Sequence, residues 1–225
     1  TCALPILSEA AKKAQELAER LGVSPRSGFL PALDPGGAVG SAGLSLHDGP
    51  VPARRAGLGT RRLLTLAMQR GLLEGGGLVL VDEVENGLEP FRLRRLLREL
   101  LSRSDPPPDR DRPGTVVLTT HSPIALAQLR CGNIGIVRSN GGITTVTTPP
   151  IGLQGTLVTH SEAFLSRKVI VCEGVTELGI VWGLDAGWAG EGRSLLAECG
   201  VGLANAGGVS KVAEVAIGMK SLGYD

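Results

Sequence analysis

The features that most constrain this chain are short apolar runs that end abruptly in ionisable residues. Leu78-Val79-Leu80-Val81 runs straight into Asp82-Glu83, and Val169-Ile170-Val171-Cys172 into Glu173. A third run, Thr115-Val116-Val117-Leu118-Thr119, leads to Thr120-His121-Ser122-Pro123. Continuous apolar runs this short read as strands buried on both faces of a parallel sheet. The C-terminal ends of such strands are where open α/β sheets bind ligands. The sequence therefore predicts an α/β protein with its chemistry at a sheet edge.

The segments between the runs support that class. Ser8 to Leu21 has a helical stripe of Ala11, Ala14, Leu17 and Leu21, with Ser8 placed to cap it. Leu63 to Leu73 reads as a helix, stopped by Gly75-Gly76-Gly77. Phe91 to Ser102 sets Leu93, Leu96, Leu97, Leu100 and Leu101 against Arg92, Arg95 and Glu99. Thr176 to Gly187 and Val209 to Leu222 are helices on either side of a strand at Val201 to Ala204. Strand then helix, twice, signals a parallel sheet. Gly43 to Arg54 and Ile134 to Thr147 read as hairpins, turning at Asp48-Gly49 and at Asn140-Gly141-Gly142. Ser24 to Gly43 and Asp105 to Pro113 read as loops, and a boundary falls near Pro149-Pro150. The domain expectation is 1–150, a linker at 151–165, and 166–225.

Composition limits the partners. The 225 residues correspond to about a domain and a half at roughly 150 residues per domain. A net charge of +1 offers no bulk attraction for nucleic acid. Two Trp, one Tyr and three Phe are too few for a long base-stacking platform. The 33 Gly suit tight turns and close backbone approach to phosphate. Cys2, Cys131, Cys172 and Cys199 form no C-x-x-C pair, so neither a zinc module nor a disulfide framework is expected, and a reducing cytoplasm is. No apolar run nears the roughly 20 residues that span a membrane.

Two constellations carry chemistry. In the first, a carboxylate at a strand tip can hold Mg2+ and its neighbour can polarise an attacking water. Asp82 and Glu83 have those places. Upstream, Gly57-Leu58-Gly59-Thr60-Arg61-Arg62 opens a helix, and a glycine-rich helix start is an anion site. Glu85-Asn86-Gly87-Leu88-Glu89-Pro90 follows as a polar turn, and His121 ends the next strand. In the second, Glu173-Gly174-Val175-Thr176-Glu177 puts two carboxylates at a strand end and helix start, where they can converge on one divalent ion. A plainer reading has Thr176 cap the helix and Glu177 favour its positive end. Asn205-Ala206-Gly207-Gly208 is either a phosphate-approaching turn or an ordinary βα turn.

The first order of motifs resembles an ABC-class ATPase. The resemblance implies that Gly57, Gly59, Thr60 and Arg61 belong to a variant signature motif. It makes Asp82 the Walker B magnesium residue, Glu83 the catalytic base, Asn86 to Pro90 the D-loop and His121 the switch histidine. A G-x-x-x-x-G-K-S/T loop is absent from the sequence. The resemblance therefore implies a later lobe whose ATP site is completed by other residues, and a homodimer through the ATPase heads. The second constellation resembles a Toprim domain, whose strand-end Glu and later Asp-x-Asp bind Mg2+. Asp225 precedes the strand expected to carry that pair.

An ABC lobe followed by a Toprim domain is similar to the overcoming-lysogenization-defect (OLD) family of nucleases, over Arg55 to Asp225. GLGTRRLL, LVLVDEVENGLEP, TTHSP and VCEGVTEL are the matching phrases. That resemblance implies ATP and Mg2+ (or Mn2+) as cofactors, and DNA as substrate. It implies Glu83, Glu173 and Glu177 as catalytic residues, with Asp82, Glu173 and Glu177 on metal. It also implies phage defence or DNA repair, an accessory helicase-type partner and no membrane. The segment alone is expected to catalyse nothing. The competing readings are a RecF- or SMC-like ABC clamp without nuclease activity, and a non-catalytic interaction module. Arg92, Arg94, Arg95 and Arg98 are the densest basic stretch, and read as a solvated face.

Overall fold

The computed structural model describes residues 3–34, 43–73, 77–101 and 115–225. The expected loop at Asp105 to Pro113, and Gly75-Gly76, lie outside them. The chain forms two compact units, residues 1–120 and 121–225.

In the first unit, α1 (Ala3–Arg20) packs on β1 (Phe29–Asp34) and on α2 (Leu58–Leu73). Ser8 lies inside α1 and does not cap it, because the helix begins more than a turn earlier. The buried stripe runs through Ala11, Ala18 and Leu21. A three-stranded antiparallel sheet has the order β1-β2-β3, with β2 at Gly43–Asp48 and β3 at Val51–Pro52. The hairpin at Asp48-Gly49 is as expected. The segment read as loop from Ser24 instead contains β1, with Pro31 opposite Leu46. An edge strand is where a sheet tolerates a residue without an N–H, and β1 is at the edge.

The other sheet of this unit is parallel: β4 (Leu78–Val81) beside β5 (Thr115–Leu118), in register Leu78 with Thr115 through Val81 with Leu118. Burial on both faces was expected and is not observed. Val81 is buried, while Leu78, Leu80 and Val117 are 61%, 69% and 52% exposed. With two strands, and α2 packed against β4, one face stays uncovered among the described residues. α3 (Pro90–Leu101) starts on proline, whose missing N–H costs nothing at a first turn. Its Leu93, Leu96 and Leu97 join Leu63, Leu64, Leu66 and Ala67 of α2 in the core. Truncating any one of these leucines to Ala should cost about 2–5 kcal/mol.

The second unit begins with α4 (Pro123–Leu126) and the hairpin of β6 (Ile136–Asn140) and β7 (Ile143–Thr147). Gly141 and Gly142 both have positive φ, 57° and 81°, as a two-residue turn of this hand requires. Residues 151–165 form 3-10 turns around α5 (Gln154–Thr159). A second parallel pair follows: β8 (Lys168–Cys172), α6 (Val175–Gly190), β9 (Val201–Asn205) and α7 (Val209–Ser221). On the other edge of β8, the Val169 amide donates to the Asp225 carbonyl at 3.0 Å. The hairpin is tied to the end of the chain: Arg138 Nε donates to the Leu222 carbonyl at 2.7 Å and its guanidinium stacks over Tyr224 at 4.4 Å. Tyr224 in turn donates to the Phe164 carbonyl at 2.6 Å. No helix among the described residues is long and apolar enough to cross a membrane.

Candidate nucleotide and metal sites

The tip of β4 is built around Thr119. Its hydroxyl donates to Asp82 Oδ1 at 2.5 Å and accepts from the Glu83 amide at 2.8 Å. One side chain beyond β5 thus orients one acid and fixes the backbone of the next. The Val84 amide donates to the Thr119 carbonyl at 3.0 Å, and Val84 is fully buried. That anchors the chain while Asp82 and Glu83 stay exposed. Glu83 has φ 45° and is the sole non-glycine with positive φ among the described residues. Such a conformation costs about 1–2 kcal/mol for an L-residue.

The glycine-rich turn meets this tip. α2 begins at Leu58, so Gly59, Thr60 and Arg61 lie in its first turn, where amides lack intrahelical acceptors. The Arg61 amide is already bonded to the Gly57 carbonyl at 3.0 Å. Arg62 donates to the carbonyls of both Asp82 and Glu83, the latter at 2.6 Å. A Cβ on Gly59 would run into the carbonyl of Gly87, and one on Gly87, at φ 73°, would meet Leu58 Cγ at 2.7 Å. The two turns therefore interlock: the Gly87 carbonyl requires a glycine at 59, and the Leu58 side chain and a positive φ favour one at 87. Gly57 has open space instead, so its sequence-expected need for a bare backbone has no steric basis here.

The sequence reads Arg61 and Arg62 as placed for ATP phosphate; it shows neither Arg62 nor Thr119 as a support of this tip. Arg62 was visible as a second arginine at the helix start, yet its partners lie 20 and 21 residues on. His121 stands exposed just after β5 as the first residue of the second unit. Of the basic stretch on α3, Arg95 caps α1 through the carbonyls of Arg20 (3.0 Å) and Glu19 (2.7 Å). Arg92 pairs with Glu89 at 3.2 Å. Those two have structural work already.

The end of β8 gathers the second constellation. Glu173 is exposed there, and its carbonyl accepts from the Gly208 amide at 2.9 Å. The Asn205 side chain accepts from the Gly207 amide at 2.7 Å. Gly207 and Gly208 have φ of 76° and 131°, open to glycine far more than to other residues. The glycine turn after β9 therefore lies against the acid at the end of β8. Glu177 Oε2 accepts from the Gly174 amide at 2.9 Å, half of a capping box that glycine cannot complete. Gly174, not Thr176, is the N-cap of α6. Gly174 has φ −153°, so the turn does not need a glycine there. Burial pushes the Cys172 thiol up, and the nearby Glu177 charge pushes it further.

These residues fit part of what ATP and Mg2+ ask for. Mg2+ takes about six oxygens, usually one or two carboxylates with waters and phosphates. Asp82 and Glu83 offer two exposed carboxylates on fixed backbone. Glu173 and Glu177 offer two more, and a carboxylate that caps a helix through one oxygen keeps the other. No group of three His, Cys, Asp or Glu gathers for a metal among the described residues.

None of the curated proteins matches this chain in sequence. Among solved structures, one from work on "ATP-driven dimerization and DNA stimulated activation of SMC ATPases" is similar at 15% identity. It covers 66% of this chain and 88% of its own, with a TM-score of 0.45. Residues 9–127 match the AAA domain family described as a candidate AbiEii toxin of a Type IV TA system. That span is over half of the chain and contains the whole β4 tip, so the protein belongs to this AAA domain family and its first unit is an ATPase-type domain.

Proposed function

We propose that the chain is part of an ATP-dependent, metal-dependent DNA endonuclease of OLD type, an ABC-class head joined to a Toprim nuclease. The observation that carries the reading is the repeated design of two parallel-strand ends. At each, an exposed acid follows the strand and its carbonyl is held from another element: Glu83 by Arg62 of the glycine-rich helix start, Glu173 by the Gly208 amide. On this reading 1–150 belong to the head, 151–165 to the link and 166–225 to the nuclease domain. By compactness alone, 121–150 group with the second unit.

In the head, Glu83 takes the proton from the water that attacks the terminal phosphate. Asp82, held by Thr119, would hold the Mg2+. The first turn of α2, with Gly57, Gly59, Thr60 and Arg61, offers amides and positive charge to phosphate oxygens. That turn serves a neighbouring head's nucleotide, so the working form is a homodimer, and His121 is the switch histidine. In the nuclease part, Glu173 and Glu177 would hold a divalent ion, Mg2+ or Mn2+, which when bound would neutralise charge on a DNA phosphate. The Gly207-Gly208 turn admits that phosphate close to backbone. Nucleotide-driven closure of the heads regulates access of DNA.

The test is Glu173→Ala in the full-length protein with Mg2+ or Mn2+ and plasmid DNA. Loss of cutting supports the nuclease reading, and undiminished cutting overturns it. One observation favours a RecF- or SMC-like DNA clamp instead: Glu177 already has a structural role as the cap of α6.

A further inference from the structure

We infer that Arg62 is a positioning residue of the nucleotide site, holding the Glu83 carboxylate in place through the backbone. The inference rests on the reading of Glu83 as the base of an ATPase. Glu83 occupies the left-handed region at φ 45°, which strand-to-turn geometry does not require of a glutamate. Strain of this kind persists only where the surroundings over-determine it. Here they do. The Glu83 amide is taken by Thr119 and its carbonyl by Arg62 at 2.6 Å. The same carbonyl accepts from the Asn86 amide at 2.9 Å, and the preceding Asp82 carbonyl is taken by Arg62 again.

The arginine gives up solvation to do this. Its Nε is buried and has no hydrogen-bond partner among the described residues. A buried, unsatisfied donor on a cation is expensive, and a leucine or methionine would fill the space more cheaply. What apolar residues cannot do is bridge two successive carbonyls. Here the two N–H bonds of a single nitrogen, Arg62 Nη2, do so. The interlock of Gly59 with Gly87 fixes the helix that carries Arg62 against the turn that follows Glu83, so the clamp has a rigid base. Arg62 therefore couples the first turns of α2 to the acid tip of β4, and any shift of α2 moves the base.

The experiment is steady-state ATP turnover of the full-length protein for Arg62→Ala, Arg62→Lys and each combined with Glu83→Gln. Arg62→Ala should lower kcat by about 10- to 100-fold, the scale of a misplaced catalytic group. The KM for ATP should stay within about two-fold, since the clamp does not touch nucleotide. Arg62→Lys, able to reach one carbonyl as a point charge, should recover part of the loss. In the Glu83→Gln background, either Arg62 change should lower the residual rate by no more than about two-fold, because residues acting as a unit are not additive. A wild-type kcat for the Arg62 variants overturns the inference while leaving the ATPase reading intact. So does a full Arg62 penalty that persists with Glu83→Gln. Should Arg62→Ala fail to fold, the Arg62→Lys pair decides by the same criteria. Undiminished turnover in Glu83→Gln alone overturns the reading beneath and the inference with it.

Discussion

Thr119 and Asp82 meet at 2.5 Å across the two parallel strands of the first unit, the hydroxyl donating to the carboxylate. The same oxygen accepts from the Glu83 amide, so one hydroxyl organises both acids. Thr119→Val keeps the shape and removes the bonding. It should lower ATP turnover about ten-fold as the acids lose their alignment. Stability should fall by only about 0.5–1.5 kcal/mol, because the groups are exposed and water replaces the partner. Turnover and the urea midpoint, measured on the same samples, separate the two effects.

The glycines of the motif should differ sharply in tolerance. Gly59→Ala drives a methyl into the Gly87 carbonyl, and relief requires backbone movement. A loss of about 1–3 kcal/mol is expected. Gly57→Ala meets nothing, and should change stability by less than about 0.5 kcal/mol. Thermal melts of the two variants side by side check the contrast. Equal melting temperatures would contradict the interlock.

Glu177 has two proposed roles that substitution can separate. Glu177→Gln keeps an acceptor for the Gly174 amide, so stability should change by less than about 0.5 kcal/mol. Glu177→Ala removes the cap, at about 0.5–2 kcal/mol. If Glu177 also holds metal, plasmid cleavage is lost in both variants. If cleavage survives in Glu177→Gln, the residue is a cap alone.

The second unit should weaken in alkali through Tyr224. Burial pushes its hydroxyl above the ordinary value of 10.0, and Arg138 pulls it part of the way back. A group whose pKa is raised on folding lends stability that is complete below its unfolded pKa and lost as pH rises through the folded one. The loss should therefore begin above about pH 10. Cys131 and Cys172, both raised by burial above 9.0, act in the same direction from slightly lower pH. Tyr224→Phe should cost about 1 kcal/mol at neutral pH and flatten the alkaline decline. Urea midpoints from pH 7 to 11 test the sign.

Much of the architecture was legible because it depends on local chemistry. The runs at Leu78, Thr115 and Lys168 became strands, and Asn140-Gly141-Gly142 became a hairpin turn. β1 was hidden by Pro31 and by the glycines around it, which signal loop when the pairing strand is unknown. The exposure of Leu78 and Leu80 was illegible too, since an apolar run says that a face can be covered and not what covers it. The acids of the candidate site stood out by position, at the ends of strands. Their supports did not. Arg62 and Thr119 act on residues 20 to 37 positions away, and such partners are set by the crossover of the sheet, not by any local pattern.

The central claim is that the β4 tip is an ATPase centre with Glu83 as its base. It is tested most directly by Glu83→Gln in the full-length protein, with ATP turnover and fluorescent-nucleotide binding measured together. Turnover should fall by about 100-fold or more, as for loss of a general base, with nucleotide affinity within about three-fold of wild type. Turnover at the wild-type rate would contradict it.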